Sequence, residues 1–290
     1  MKSLLITGGT GFVGRHVLKY LPHDIQISIL TRKKLLSDER VTYLFGDIAN
    51  ARDVERAMKM SRPDMLLHLA WNVKGERYAC AEENRLWVDW TKHLAQTFFQ
   101  QGGRVFVGSG TCFEYDLAYR GDHVEDEVCH PLTPYGECKL ETMRIVSELS
   151  ERHDARFVWG RIFYPYGRGE ESRKLFSSAL TKWRKGETFV CKSPDSILDY
   201  IHIEDVARHF TAFLQNEQIQ GIVNVSAGKG ASVRKMLQTL AQASGCEKML
   251  SFSNEGEDTR IVGSTEKARK YGIFCRHTLA FGICDMLDVE

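Results

Sequence analysis

Long apolar runs are missing from this chain of 290 residues, and their absence excludes a membrane-spanning protein. No stretch approaches the roughly 20 apolar residues that a transmembrane helix needs, and the apolar run within residues 1–6 is too short for a secretory signal. The eight cysteines include no CxxC pair, which argues against a zinc site and for free thiols in a reducing compartment. We expect a cytoplasmic protein with no metal and no membrane partner.

A strong charge of one sign is also missing. The formal net charge is +1, and no basic stripe interrupted by aromatic residues is present, so nothing indicates binding to nucleic acid. Hydrophobic residues make up 43% and charged residues 27% of the chain, which is ordinary globular composition.

Short β-rich segments alternate with amphipathic segments along the first half of the chain. Such alternation predicts an α/β fold of the Rossmann type, a doubly wound parallel sheet covered by helices on both faces. The predicted strands are 4–7, 25–30, 41–45, 65–69, 105–107 and 157–162, and the predicted helices are 12–21, 52–60, 83–101 and 135–152. After residue 163 the alternation weakens, with helices predicted at 176–183, 232–243 and 278–287 and a strand at 222–225 rejoining the sheet.

The segment LLITGGTGFVG at 4–14 carries glycines at positions 8, 11 and 14 between a strand and a helix. A strand, a glycine-rich turn and a helix N-terminus together make a phosphate site, because the backbone can approach closely and the helix offers N–H groups. We predict dinucleotide binding by Gly8, Gly11 and Gly14, with Phe12 and Val13 in the first turn of the helix.

The second predicted strand ends in ILTRKK, with no carboxylate where an NAD site places one for the ribose hydroxyls. Arg32 and Lys33 would instead bind a 2′-phosphate, which favours NADP(H).

The adenine end and the crevice between strands are predicted from two further strand ends. In FGDIAN, the Asp47 carboxylate could bond the adenine amine while Ile48 packs on the ring. In LHLAW, Leu69 and Ala70 lie near the same crevice, and His68 is interpreted as a packed core residue.

The segment TPYGECK places Tyr135 and Lys139 four residues apart, on one face of a predicted helix. A lysine ammonium favours tyrosinate and so suits the tyrosine to exchange a proton with a substrate hydroxyl or carbonyl. Thr111 follows the fifth strand in GSGT, 24 residues earlier, and could donate to the same substrate oxygen. These three residues are the predicted catalytic groups.

The chain resembles the extended short-chain dehydrogenase/reductases, and within them the nucleotide-sugar epimerase/dehydratase group. The resemblance rests on TGGTGFVG (7–14), GD (46–47), LHLA (67–70), GSGT (108–111), YGECK (135–139), GRIFYPYGRG (160–169) and DYIHIEDVA (199–207), and continues more weakly in GSTEKARKYGI (263–273). It implies that Thr111, Tyr135 and Lys139 form the catalytic triad and that Tyr135 and Lys139 also contact the cofactor. It further implies a Rossmann domain over 1–163, joined by 196–226, and a smaller C-terminal α/β substrate domain over 164–195 and 227–290. A homodimer pairing through helices near 83–101 and 134–152 is implied as well.

Cys112 and Phe113 bear on the reaction. Dehydratases of the group carry Asp-Glu immediately after the catalytic Thr, so the resemblance argues against water elimination here. The basic end of the second strand favours an NADPH-dependent reductase of a 4-keto-deoxy nucleotide sugar, in deoxysugar biosynthesis. The alternatives are a nucleotide-sugar 4-epimerase, a reductase of a non-nucleotide carbonyl, and a catalytically silent NADP-binding regulator.

The substrate contacts depart from the resemblance. Leu198 stands where an arginine for the diphosphate is common, and Tyr164 stands where asparagine is usual. We therefore expect the substrate to be held by other residues, namely Cys112, Phe113, Tyr164, Arg173, Lys174 and Arg260.

Overall fold

The computed structural model describes residues 2–73, 75, 77–253 and 255–287, which form fourteen strands and nine α-helices within those ranges. The strands are β1 (Ser3–Thr7), β2 (Gln26–Thr31), β3 (Val41–Phe45), β4 (Met65–His68), β5 (Val105–Thr111), β6 (Asp122–His123), β7 (Arg156–Ile162), β8 (Tyr164–Tyr166), β9 (Phe189–Cys191), β10 (Ile197–His202), β11 (Gly221–Val225), β12 (Gly230–Ser232), β13 (Leu250–Phe252) and β14 (Arg260–Gly263). The helices are α1 (Phe12–Tyr20), α2 (Ala51–Ser61), α3 (Asn84–Gln100), α4 (Pro134–Arg152), α5 (Leu175–Arg184), α6 (Ile203–Gln215), α7 (Val233–Ala243), α8 (Glu266–Lys270) and α9 (Leu279–Leu287).

Seven parallel strands form the main sheet, in the order β11-β7-β5-β4-β1-β2-β3. The predicted doubly wound Rossmann fold is confirmed. The chain winds outward from β1 in both directions, so the topological switch lies between β1 and β4. In open α/β sheets a ligand binds at the carboxyl ends of the strands at such a switch.

Side chains alternate across this sheet as the two-residue period of a strand requires. Leu4 and Ile6 of β1 point into one core, together with apolar residues of α1, α6 and α8. Leu5 points into the other core, with α2, α3 and α4. Burial on both faces explains why the strands read as continuous apolar runs.

The C-terminal region builds a separate core beneath a second sheet. Strands β12, β10, β14 and β6 form that sheet, with β8 paired to β10, and α5, α7 and α9 contribute to its apolar core. Within the predicted returning segment 196–226, β11 extends the main sheet and α6 packs on it, whereas β10 belongs to the second sheet. The predicted domain boundaries stay a prediction.

Strand β5 is longer than its apolar run predicts and reaches Thr111. A Cβ on Gly108 would lie 2.4 Å from the Trp159 ring, and one on Gly110 would lie 2.2 Å from its Nε1. The glycines weaken the strand signal in the sequence, yet they are what allow Trp159 of β7 to pack against β5. Helix α6, which the sequence analysis did not predict, covers the main sheet beside α1.

Among the described residues, no helix is long and apolar enough to cross a membrane. Helices α3 and α4 pack side by side, and Arg85 pairs with Glu137 and Glu141 across them. The homodimer predicted through these helices stays a prediction.

His68 at the end of β4 has no exposed surface, as predicted for a core residue. Its Nδ1 lies 2.7 Å from Thr7 Oγ1 and its Nε2 lies 3.1 Å from Thr91 Oγ1. Burial, with a smaller contribution from the charge on Lys139, lowers the pKa of His68 to about 3. The imidazole is therefore neutral in the folded protein near neutral pH.

This depressed pKa predicts a specific pH dependence of stability. Between about pH 6.5 and 3 the unfolded chain binds a proton at His68 that the folded chain does not, so acidification costs about 1.4 kcal/mol per pH unit through this residue. We expect His68→Gln to be less stable at pH 7 and to lose stability less steeply between pH 6.5 and 5, measured by urea unfolding. His23→Gln, at an exposed position, is the control, and an unchanged slope in His68→Gln would contradict the prediction.

Candidate active site

The turn after β1 lets the backbone approach a ligand closely. Gly8 has φ +74°, and a Cβ there would lie 2.6 Å from the backbone N of Ala70. A Cβ on Gly14 would lie 2.4 Å from the Gly8 carbonyl oxygen. Gly11 donates its N–H to that carbonyl at 2.9 Å, and α1 begins at the next residue. The turn is thus packed against the backbone that follows β4, and the N-terminus of α1 lies at the cavity beside it.

A cavity of about 740 Å³ opens at the switch between β1 and β4. All the residues predicted to bind the cofactor line it except Lys33, namely Gly8, Gly11, Phe12, Val13, Gly14, Arg32, Asp47, Ile48, Leu69, Ala70, Tyr135 and Lys139. A dinucleotide site needs a glycine-rich turn and a helix N-terminus for the phosphates. Asp47 and Ile48 add an acidic and an apolar side chain at the end of the cavity predicted to hold adenine. The residues present therefore fit a nicotinamide dinucleotide.

Arg32 reaches the edge of this cavity with 76% of its side chain exposed, and its Nη1 lies 3.8 Å from Asp47 Oδ2. Such an exposed contact stabilises little, so the guanidinium can turn towards an anion. Thr31 ends β2 and uses its hydroxyl to accept from the backbone N–H of Lys33.

Thr111, Tyr135 and Lys139 face the same cavity. Thr111 ends β5, and Tyr135 lies in the first turn of α4, whose N-terminus is capped by the Thr133 side chain. The Thr111 side chain interacts with Tyr135 and opposes the rise in its pKa. Lys139, one turn further along α4, is 1% exposed and donates from Nζ to the Ser109 carbonyl oxygen at 2.7 Å.

Burial dominates the acid–base properties of this pair. It raises the pKa of Tyr135 well above its usual range and lowers the pKa of Lys139 to about 7, an effect that the nearby charge of Glu114 opposes. A tyrosine in this environment is a proton donor near neutral pH, and a positive charge close to it is required for it to become a base.

Glu114 shapes the site and was not among the residues predicted from the sequence. Its carboxylate has no exposed surface and accepts from the Thr111 backbone N–H at 2.8 Å, from Trp159 Nε1 at 3.0 Å and from Arg161 Nε at 2.8 Å. Thr111 and Glu114 form a capping box for the single 3₁₀ turn at Cys112–Glu114. The spacing T-x-x-E at 111–114 is the sequence signal that could have found it.

Three aromatic rings surround Tyr135 edge-on. Their centroids lie 6.3 Å away for Trp71, 5.2 Å for Tyr78 and 5.9 Å for Phe113. Phe113 also lines the cavity. Trp71 and Tyr78 come from the segment after β4 and were not among the predicted site residues.

The predicted substrate residues separate into two groups. Tyr164 and Lys174 line the main cavity together with Phe113, and Arg173 lines a smaller cavity of about 440 Å³ beside it. Cys112 and Arg260 line neither. Arg260 is paired with Asp122 at 2.5 Å and donates to the Arg120 carbonyl, so its charge is engaged away from the site.

The Cys112 side chain is packed in the protein interior and does not face the cavity. It is 1% exposed, against Tyr115, Phe163 and Ile261, and burial raises the pKa of its thiol far above its usual range. Such a thiol cannot act as an acid–base group at neutral pH.

Comparison with known proteins identifies the family. The pattern that defines the NAD dependent epimerase/dehydratase family matches residues 4–226, and the chain belongs to that family. Among curated proteins it is 27% identical to the UDP-glucose 4-epimerase of Azospirillum brasilense, over 92% of this chain and 85% of the relative.

Solved structures share the fold over nearly the whole chain. The UDP-glucose 4-epimerase of Thermus thermophilus in complex with NAD superposes with a TM-score of 0.86 at 22% identity, covering 99% of this chain and 98% of the other. The dTDP-glucose 4,6-dehydratase of Bacillus anthracis in complex with NAD gives 0.84 at 16% identity, covering 99% and 96%. The resemblance found in the motifs is thereby confirmed at the level of family and fold.

The packing of Cys112 predicts its reactivity. We expect iodoacetamide at pH 8 to modify the exposed Cys80 and Cys284 at least tenfold faster than Cys112, because only a thiolate with solvent access reacts. Peptide mass spectrometry over a time course measures the three rates in one sample. Modification of Cys112 as fast as Cys80 would contradict the buried placement.

Proposed function

We propose that this protein is a nicotinamide-dependent nucleotide-sugar 4-epimerase. The observation that carries the proposal is that Thr111, Tyr135 and Lys139 share one cavity with the glycine turn of residues 8–14. The curated UDP-glucose 4-epimerase relatives support this reaction over the reductase that the sequence analysis favours.

In the proposed reaction Tyr135 accepts the proton of the sugar 4-hydroxyl while Thr111 donates a hydrogen bond to the same oxygen. Lys139 contributes a positive charge that favours the tyrosinate needed for this step. A bound nicotinamide would supply the hydride acceptor, and then the hydride donor, for C4. Tyr135 gives its proton back to the C4 oxygen when the 4-keto group is reduced, so protons and electrons balance over the cycle.

We assign the substrate diphosphate to Lys174. It lines the cavity at the N-terminus of α5, and its Nζ lies 4.9 Å from the ring centroid of Tyr78, which in turn contacts Tyr135. Position 198 holds a leucine that packs in an apolar cluster with Ile261, so the positive charge that binds the diphosphate must come from another residue. Lys174 reaches the substrate end of the cavity.

The test is interconversion of UDP-glucose and UDP-galactose by the purified protein, with CDP-, dTDP- and GDP-hexoses in parallel. We expect turnover without added reductant, and a fall of about 10²- to 10⁴-fold in Tyr135→Phe, which removes the proton carrier and keeps the ring. Cofactor affinity in Tyr135→Phe, measured by calorimetry, should be nearly unchanged. Full activity in that variant would move the chemistry to another residue, and no turnover with any nucleotide sugar would favour a non-nucleotide carbonyl.

A second candidate is the NADPH-dependent reductase of a 4-keto-deoxy nucleotide sugar. It is favoured by one observation, that Thr31 and Arg32 stand at the end of β2 where a carboxylate would select NAD. A reductase consumes a dissociable cofactor, whereas an epimerase recycles a tightly held one. Oxidation of NADPH in proportion to the loss of a 4-keto sugar would support this candidate.

Arg32→Asp tests the cofactor directly. We expect the native protein to bind NADPH more tightly than NADH, and the variant to lose affinity for NADPH by on the order of 10- to 100-fold, because a carboxylate repels a 2′-phosphate and removes a charge-assisted contact. Dissociation constants from calorimetry measure both. Lys34→Asp makes the same charge change outside the cavity and is the control. Equal affinity of the native protein for the two cofactors would remove the argument for the reductase.

A further inference from the structure

Lys139 lies on the face of an indole ring. Its Nζ is 4.1 Å from the centroid of Trp71 and 5.7 Å from that of Trp159. Within the described residues Lys139 forms no ion pair with a carboxylate, and its one protein hydrogen bond goes to the Ser109 carbonyl. A buried ammonium so placed depends on the ring faces for much of its stabilisation, since a desolvated cation–π contact is worth far more than an exposed one.

The Trp71 ring is itself held on two sides. It stacks on Trp87 with centroids 5.6 Å apart and an interplanar angle of 27°, and its Nε1 donates to Asn84 Oδ1 at 2.8 Å. Asn84 is fixed in turn by donating to the carbonyls of Tyr78 and Ala81, both at 2.8 Å. The indole therefore cannot turn without breaking a partly buried hydrogen bond and a stack, and it also contacts Tyr135 edge-on.

We infer that Trp71 is a positioning residue for the proposed reaction: its ring face holds the Lys139 ammonium one helical turn from Tyr135, where no described carboxylate forms an ion pair with it. The inference rests on the proposed role of Tyr135 and Lys139. An aromatic face attracts a cation through its quadrupole and carries no net charge, so the full positive charge of Lys139 remains available to favour tyrosinate. A carboxylate in the same place would hold the ammonium equally well and cancel its field at Tyr135.

The titratable groups around Lys139 come from several elements. Glu114, in the turn after β5, favours its charged form; His68, on β4, is neutral because burial holds its pKa low; and Tyr135 precedes it by one turn on α4. Burial lowers the pKa of Lys139 to about 7. A weaker attraction between the Trp71 ring and the ammonium should therefore lower this pKa further, so that Lys139 loses its charge near neutral pH.

The test replaces Trp71 site-specifically with mono-, di- and trifluorotryptophan, which withdraw electron density from the ring at nearly constant shape. The titration of Lys139 is followed by NMR of ¹³Cε-labelled lysine, with the signal assigned by its loss in Lys139→Met. We expect the Lys139 pKa to fall stepwise with fluorine number, by on the order of one unit across the series. The pH above which kcat falls should move down by the same steps.

The same series at Trp183 is the matched control, since this buried tryptophan belongs to the C-terminal core and donates to the Met249 carbonyl. A Lys139 pKa that does not change with fluorine number at position 71, or that changes equally for position 183, overturns the inference. The NMR titration needs no substrate, so it distinguishes this failure from that of the proposed function. If the Lys139 pKa does not change with fluorine number and Tyr135→Phe is inactive, only the role of Trp71 is disproved. If Tyr135→Phe keeps full activity, the proposed function is disproved whatever the titration shows.

Discussion

The buried carboxylate of Glu114 is the constraint on which the site depends. It has no exposed surface and binds the backbone of the Thr111 turn, the indole of Trp159 and the guanidinium of Arg161. Removing one member of a buried ion pair leaves an uncompensated charge and costs about 3–5 kcal/mol. The turn after β5 can therefore adopt only the conformation that satisfies Glu114, and that conformation sets the place of Thr111. The same carboxylate also supplies the negative charge that supports Lys139.

Most of the main sheet could be predicted from the sequence because its strands are buried on both faces and therefore read as apolar runs. The glycines at 8, 11 and 14 mark the phosphate-binding turn after the first strand. The prediction was incomplete where long-range packing overrides local preference. Gly108 and Gly110 are poor strand formers, and only the position of Trp159, some fifty residues later, shows why β5 continues through them. The amphipathic α6 was missed although its first residues, 203–207, belong to the motif DYIHIEDVA.

The candidate site divides in a similar way. Spacing alone brings Tyr135 and Lys139 to one helix face, and a strand end brings Thr111 towards them, so local geometry is sufficient. The charge of a residue alone does not predict which cations line the cavity. Arg260 is paired with Asp122, whereas Lys174 faces the cavity. Trp71 and Tyr78 reach the pair from the segment after β4, and no periodicity in the sequence encodes such a contact.

The close approach of α4 to the turn at Cys112–Glu114 has a consequence for how such an enzyme can change. A Cβ on Gly136 would lie 2.1 Å from the Phe113 carbonyl oxygen, so the helix that carries Tyr135 is seated on main chain rather than on exchangeable side chains. Tyr164 and Lys174, which also line the cavity, lie outside α4 and the turn at Cys112–Glu114. Substitutions around them can change the shape of that part of the cavity while Tyr135 and Lys139 keep their place. The two halves of the cavity are thus free to diverge at different rates.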